Sequence, residues 1–99
     1  MQGWYAAQFE REMGCTETEL LRWLPGAAGP HAAALSGQTA TVAIGAGSLV
    51  LRWRVLPARQ IALMRIPRMA MSFRFDGVGE SERQVFMRHF DLSTQRGGG

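Results

Sequence analysis

Met69-Ala70-Met71-Ser72-Phe73-Arg74-Phe75 is the stretch on which the fold turns. Large apolar residues occupy every second position, and small or charged ones fall between them. Successive side chains of a strand point to opposite faces, so this pattern predicts a strand with one buried face and one open face. Arg68 continues the polar phase upstream, and Asp76-Gly77 ends the strand.

The same two-residue period extends towards the N-terminus. Ala40, Val42 and Ile44 alternate with Thr39, Thr41 and Ala43, and Gly45-Ala46-Gly47 supplies a turn. Residues 48–56 put Leu49, Leu51, Trp53 and Val55 on one face and Val50, Arg52, Arg54 and Leu56 on the other. Pro57-Ala58-Arg59 predicts a second turn. Residues 61–66 are apolar on both faces, as in a central strand, with Arg65 the exception. Pro67 cannot donate to a ladder and predicts a break or an edge. Short turns favour pairing in chain order, which gives a four-stranded antiparallel meander.

The flanks read as helices. Tyr5, Phe9 and Met13 stand at four-residue spacing beside Trp4, as on one helix face, with Gly14 as the exit. Thr16 and Glu19 have the spacing of a capping box, and Cys15 and Leu20 occupy the hydrophobic-staple positions around it. Leu20, Leu21 and Leu24 line the buried side of that helix, and Pro25-Gly26 stops it. Pro30 opens a short helical turn through Leu35, with Gly37 as its exit. A last helix covers residues 80–90, capped by Ser81 with Gln84 or by Gly79, with Val85, Phe86 and Phe90 facing the core. The expected fold is α+β: two N-terminal helices, a four-stranded antiparallel meander, and a C-terminal helix on one sheet face. Residues 1–92 form the single domain and residues 93–99 a flexible tail.

Residues 56–75, together with the ending Phe90-Asp91-Leu92-Ser93-Thr94-Gln95-Arg96-Gly97-Gly98-Gly99, resemble a group of short uncharacterised bacterial proteins. The resemblance covers less than half the chain and implies no activity.

Composition narrows the chemistry. Hydrophobic residues make up 46% of the chain, too many for a disordered segment. All eleven basic residues are arginine, and there is neither lysine nor asparagine. Schiff-base chemistry, a phosphate-loop lysine and N-glycosylation are therefore excluded within these residues. One cysteine, Cys15, allows no intrachain disulfide. With no apolar leader and no apolar run near the roughly 20 residues of a membrane span, the expected location is cytoplasmic, away from membrane.

Candidate sites follow from the remaining residues. Cys15 precedes a helix start, where a thiolate is favoured, but its staple position predicts a structural residue. His31 and His89 fit no metal spacing with Cys15, so neither metal nor cofactor is expected. Asp91 could orient His89, although the last turn of a helix equally suits His89 as a structural residue. Met64, Met69, Met71 and Met87 read as core filler. The charge layout says more: residues 38–75 carry six arginines and no acid, while both flanks are net acidic. If Trp53, Phe73 and Phe75 point inward, then Arg52, Arg54 and Arg74 share the outer face with Val50 and Leu56. Arg65, Ile61 and Leu63 join that face if Met64 and Ile66 point inward. Arginines mixed with aliphatics fit coverage by the N-terminal helices or by a partner. The aromatics have the opposite phase, which argues against a base-stacking nucleic-acid surface. Arg52, Arg54, Arg65 and Arg74 are thus the expected binding residues of a small non-enzymatic module, for a protein or anionic partner or another copy of itself. The alternative is a carrier activated at Gly98 and Gly99, since terminal glycines are similar to the ends of ubiquitin-like proteins and sulfur carriers. The order of elements departs from the β-grasp order of those families.

Overall fold

A computed structural model of the chain describes residues 4–94. In chain order the elements are β1 (Gln8–Met13), α1 (Glu17–Ala28), β2 (Ala33–Ser36), β3 (Thr39–Ile44), β4 (Gly47–Ile61), β5 (Met64–Asp76) and α2 (Glu80–Ser93). The strands form one five-stranded sheet, β1-β5-β4-β3-β2, with every neighbouring pair antiparallel. The α+β class stands, but two N-terminal helices and four strands do not. Among the described residues there are two helices and five strands, and α1 carries the chain from one edge strand to the other.

The first expected helix is the edge strand β1. A four-residue spacing is also an even one, so Tyr5, Phe9 and Met13 share a face in a strand as well. Gln8, Glu10 and Glu12 fill the opposite phase, which a helix would have scattered. β1 pairs with β5 in the register Phe9↔Phe73 and Met13↔Met69, and the Phe9 and Phe73 rings stack with centroids 4.6 Å apart. The expected helical turn at Pro30 is likewise replaced by β2. A two-residue turn, Gly37-Gln38, joins β2 to β3, and Gly37 takes φ +60.

The expected turn at Pro57–Arg59 is not a turn. β4 runs through it to Ile61, and the chain reverses at Ala62-Leu63 instead, between the paired Ile61 and Met64. The register shifts between Leu56↔Arg68 and Arg59↔Ile66. There Pro57 and Ala58 stand opposite the single residue Pro67, a β-bulge on β4. Both prolines lack an N–H, and a bulge is where a ladder tolerates that loss. The β4–β5 hairpin consequently forms an arm that extends past the ends of β1 and β3.

Both helices pack on one face of the sheet. Leu49, Leu51, Trp53, Met69, Met71, Phe73 and Phe75 are buried beneath them with Ala40, Val42 and Ile44. Phe90 of α2 meets Phe73 edge-on at 5.4 Å, and Phe86 meets Phe75 at 6.1 Å. α1 begins with the predicted capping box: Glu19 N–H donates to Thr16 Oγ1 at 3.1 Å, and Thr16 N–H donates to Glu19 Oε1 at 2.9 Å. Cys15 and Leu20 are both buried, as the staple requires. The helix passes Pro25-Gly26 and ends at Ala28. Pro25 and Leu21, whose carbonyl loses its helical donor, are both exposed, so solvent can take that bond.

α2 takes the second of its two expected caps: Gly79, not Ser81, is its N-cap, with no side-chain cap. Gln84 instead clamps the backbone of Tyr5, accepting from its N–H at 2.9 Å and donating to its carbonyl at 2.7 Å. Met87 is buried as expected, whereas Val85, which was expected to face the core, is exposed.

Candidate binding face

No described element covers the face of the sheet opposite the helices. Cross-strand partners share a face, so the register sorts its side chains into rows. Gln8, Arg74 and Val50 form one row, Glu10, Ser72 and Arg52 the next, and Glu12, Ala70 and Arg54 the third. Thr41 and Thr39 extend the first two rows on β3. Read along the strands, β1 offers an acidic line, β4 an arginine line, and β5 a floor of the small residues Ser72 and Ala70 between them. That floor makes a shallow concavity of about 430 Å³ between Glu10 and Glu12 on one side and Arg52 and Arg54 on the other. A second, of about 340 Å³, lies beside Arg74 and Asp76.

Arg52, Arg54 and Arg74 are exposed on this face as expected, and among the described residues none has an ion pair. They contrast with Arg68, which grips Glu12 through two bonds, Nη2–Oε1 at 2.9 Å and Nε–Oε2 at 3.0 Å. Arg68 Nη1 also donates to the Pro57 carbonyl at 3.2 Å, and Arg59 approaches Glu12 at 3.7 Å. Hydrogen bonding from Arg68 holds the Glu12 carboxyl below the ordinary carboxylate range; desolvation opposes it, and the positive charges of Arg68 and then Arg59 add smaller contributions in the lowering direction. This cluster ties three strands together across the open face.

Arg65 is exposed but does not lie on this face. The extra residue of the bulge changes the phase of β4, and β5 alternates without interruption from Arg74 to Met64. Arg65 pairs with Gln60 on the helix side, whereas Ile61, Met64, Ile66 and Arg59 fall on the arginine side. The expected orientation of Met64 and Ile66 is therefore reversed. The open face is charged over the body of the sheet and aliphatic at the end of the arm. Met64 is 63% exposed, Ile61 49%, and Leu63 at the turn 99%.

The remaining candidates are engaged elsewhere. Cys15 is buried in the core and forms no disulfide. His89 Nε2 lies 2.7 Å from the Gly26 carbonyl of α1, and His31 packs its ring 5.8 Å from Phe86. Asp91 does not orient His89. It pairs with Arg11 at 2.8 Å and accepts the Tyr5 hydroxyl proton. The Arg11 guanidinium lies 5.1 Å from the centre of the Phe73 ring and 5.5 Å from that of Phe9. Burial, then the bond to Asp91 and its charge, push the Tyr5 phenol above its ordinary value. Met69, Met71 and Met87 are core residues, while Met64 is not. Among the described residues no group of three His, Cys, Asp or Glu side chains could hold a metal ion, and no helix is long and apolar enough to cross a membrane. Gly98 and Gly99 lie outside the described residues.

Glu10, Glu12, Arg59 and Arg68 belong to the face but were not among the residues expected there. The alternation of residues 68–75 already contained the signal for Arg68; the others required the pairing partner of β1 and the bulge. Comparison with protein-family models, curated proteins and solved structures finds no significant match to this chain.

Proposed function

We propose that the protein is a small non-enzymatic binding module, working in the cytoplasm, whose contact surface is the open sheet face. One observation carries this reading: three exposed arginines, Arg52, Arg54 and Arg74, stand without ion pairs among the described residues on a sheet face that no described element covers. A guanidinium is weakly hydrated and presents a planar fork of donors, so it suits carboxylates on a partner protein. Trp53, Phe73 and Phe75 lie on the covered face, which favours a protein over a base-stacked nucleic-acid strand as the occupant.

The test is a comparative pull-down from native extract with the wild type, the Arg52→Glu/Arg54→Glu/Arg74→Glu variant, and a helix-side control, Arg88→Glu. Proteins retained by the wild type and the control but lost with the triple variant support the reading. Equal retention by all three overturns it.

A further inference from the structure

We propose that the occupant of the open sheet face is a second copy of this chain, related by a two-fold axis running parallel to β5 above its Ser72–Ala70 floor. The inference rests on the reading of that face as a binding surface and goes on to name the partner.

Register selects the operator. A two-fold parallel to the strands exchanges left and right across β5 and keeps each residue at its own height. It therefore lays the β1 line of one protomer over the β4 line of the other. Glu10 and Arg52 share a row, as do Glu12 and Arg54. Glu10 of each copy then faces Arg52 of its partner, and Glu12 faces Arg54, twice over by symmetry. Along the axis, where β5 faces β5, Ser72 meets Ser72 and Ala70 meets Ala70, a pair of small residues in the middle of the face flanked by Arg74 and Arg68. Small side chains there let two sheets approach to the ~10 Å of aligned face-to-face packing.

The arm supports the same operator. Because height is kept, the two arms lie at the same end of the assembly, and Met64 and Ile66 of β5 meet their own counterparts, with Ile61 beside them. A two-fold perpendicular to the strands does neither. It stacks the arginine line of β4 and the acidic line of β1 each on itself and sets the aliphatic arm over Asp76. The parallel axis brings Arg74 to Arg74 and Arg68 to Arg68, but Arg68 is already held by Glu12 and four Glu–Arg pairs form, so charge and apolarity together still select it.

Light scattering coupled to size exclusion, at high micromolar protein and near-physiological salt, tests the proposal. The wild type is expected to run as a dimer. Glu10→Arg and Arg52→Glu should each be monomeric, since each sets like charges opposite across the axis. Mixing the two variants should restore a dimer. The arginine introduced by the first substitution then faces the glutamate introduced by the second, while the native Arg52 of one chain faces the native Glu10 of the other. The double variant should dimerise alone. Circular dichroism checks that each variant is folded, and Met64→Glu gives an independent loss of dimer through the arm. A monomeric wild type, a dimer indifferent to both charge reversals, or a mixture that stays monomeric overturns the proposal. A monomeric wild type that still captures other proteins through Arg52, Arg54 and Arg74 overturns self-pairing alone. One whose captures ignore those arginines overturns the binding face as well.

Discussion

Residues 69, 71, 73 and 75 of β5 lie beneath two helices, and residues 68, 70, 72 and 74 of the same strand lie beneath none. Both sets have the same backbone and the same neighbouring strands. On the covered side, interdigitated rings and methionines leave little room for change, so shape governs. On the open side the residues are small or charged, and charge governs. A single strand therefore contributes stability through one set of side chains and recognition through the other.

The largest expected effect falls on the covered side. Phe73 is 0% exposed and lies between the Phe9 and Phe90 rings. Phe73→Ala should cost about 3–5 kcal/mol in urea unfolding, while its open-face neighbour Ser72→Ala should change stability by less than about 0.5 kcal/mol. Similar losses from both would break the comparison.

The border between the two regimes is the Tyr5–Asp91–Arg11 cluster, which closes the covered side at the β1 edge. Asp91→Asn leaves the Arg11 guanidinium over its aromatic rings without a counter-charge, and a loss of about 1–2 kcal/mol is expected for this partly exposed pair. A change near zero would place the cluster with the open face.

A smaller effect appears at alkaline pH. The Tyr5 phenol is raised from 10.0 in the folded protein, first by burial and then by Asp91. As pH rises past 10, the unfolded chain releases that proton before the folded one does. The stability that Tyr5 contributes is thus complete below that pH and is lost as pH climbs through the folded value. Thermal unfolding should show a steeper alkaline decline for the wild type than for Tyr5→Phe. Equal slopes would show that the phenol is not held by the fold.

The smallest effect belongs to the arginine line. Arg54→Gln should leave the unfolding free energy of the isolated chain within about 0.5 kcal/mol, because an exposed side chain with no ion pair among the described residues contributes little. A larger loss would mean that the open face contributes to the fold.

Features with local partners are legible in the amino-acid sequence. The Thr16–Glu19 capping box and the alternation of residues 69–75 depend on spacing alone, and both form as that spacing predicts. The same parity places Arg52, Arg54 and Arg74 on one face. What fails depends on distant partners or on a shift of phase. Tyr5, Phe9 and Met13 satisfy both helical and extended periods, and only pairing with residues 69–74 decides between them. Glu10 and Glu12 become part of the face only because that pairing sets β1 beside β5. Pro57 and Pro67 each suggest an interruption; placed opposite one another they make a bulge in a continuous hairpin, and Arg65 lands on the other side.

The bulge at Pro57–Ala58 also acts as a frame marker for inheritance. Downstream of it the parity of β4 is offset by one, so deleting Pro57 or Ala58 would remove the bulge and still leave Arg59 and Ile61 on the arginine side, opposite Ile66 and Met64. Adding or removing two residues in each strand of the arm would keep every side chain on its own face and alter only the length of the arm. Change in the reach of this hairpin is therefore accessible in steps of two per strand, whereas a step of one in both strands exchanges the apolar and polar surfaces beyond it.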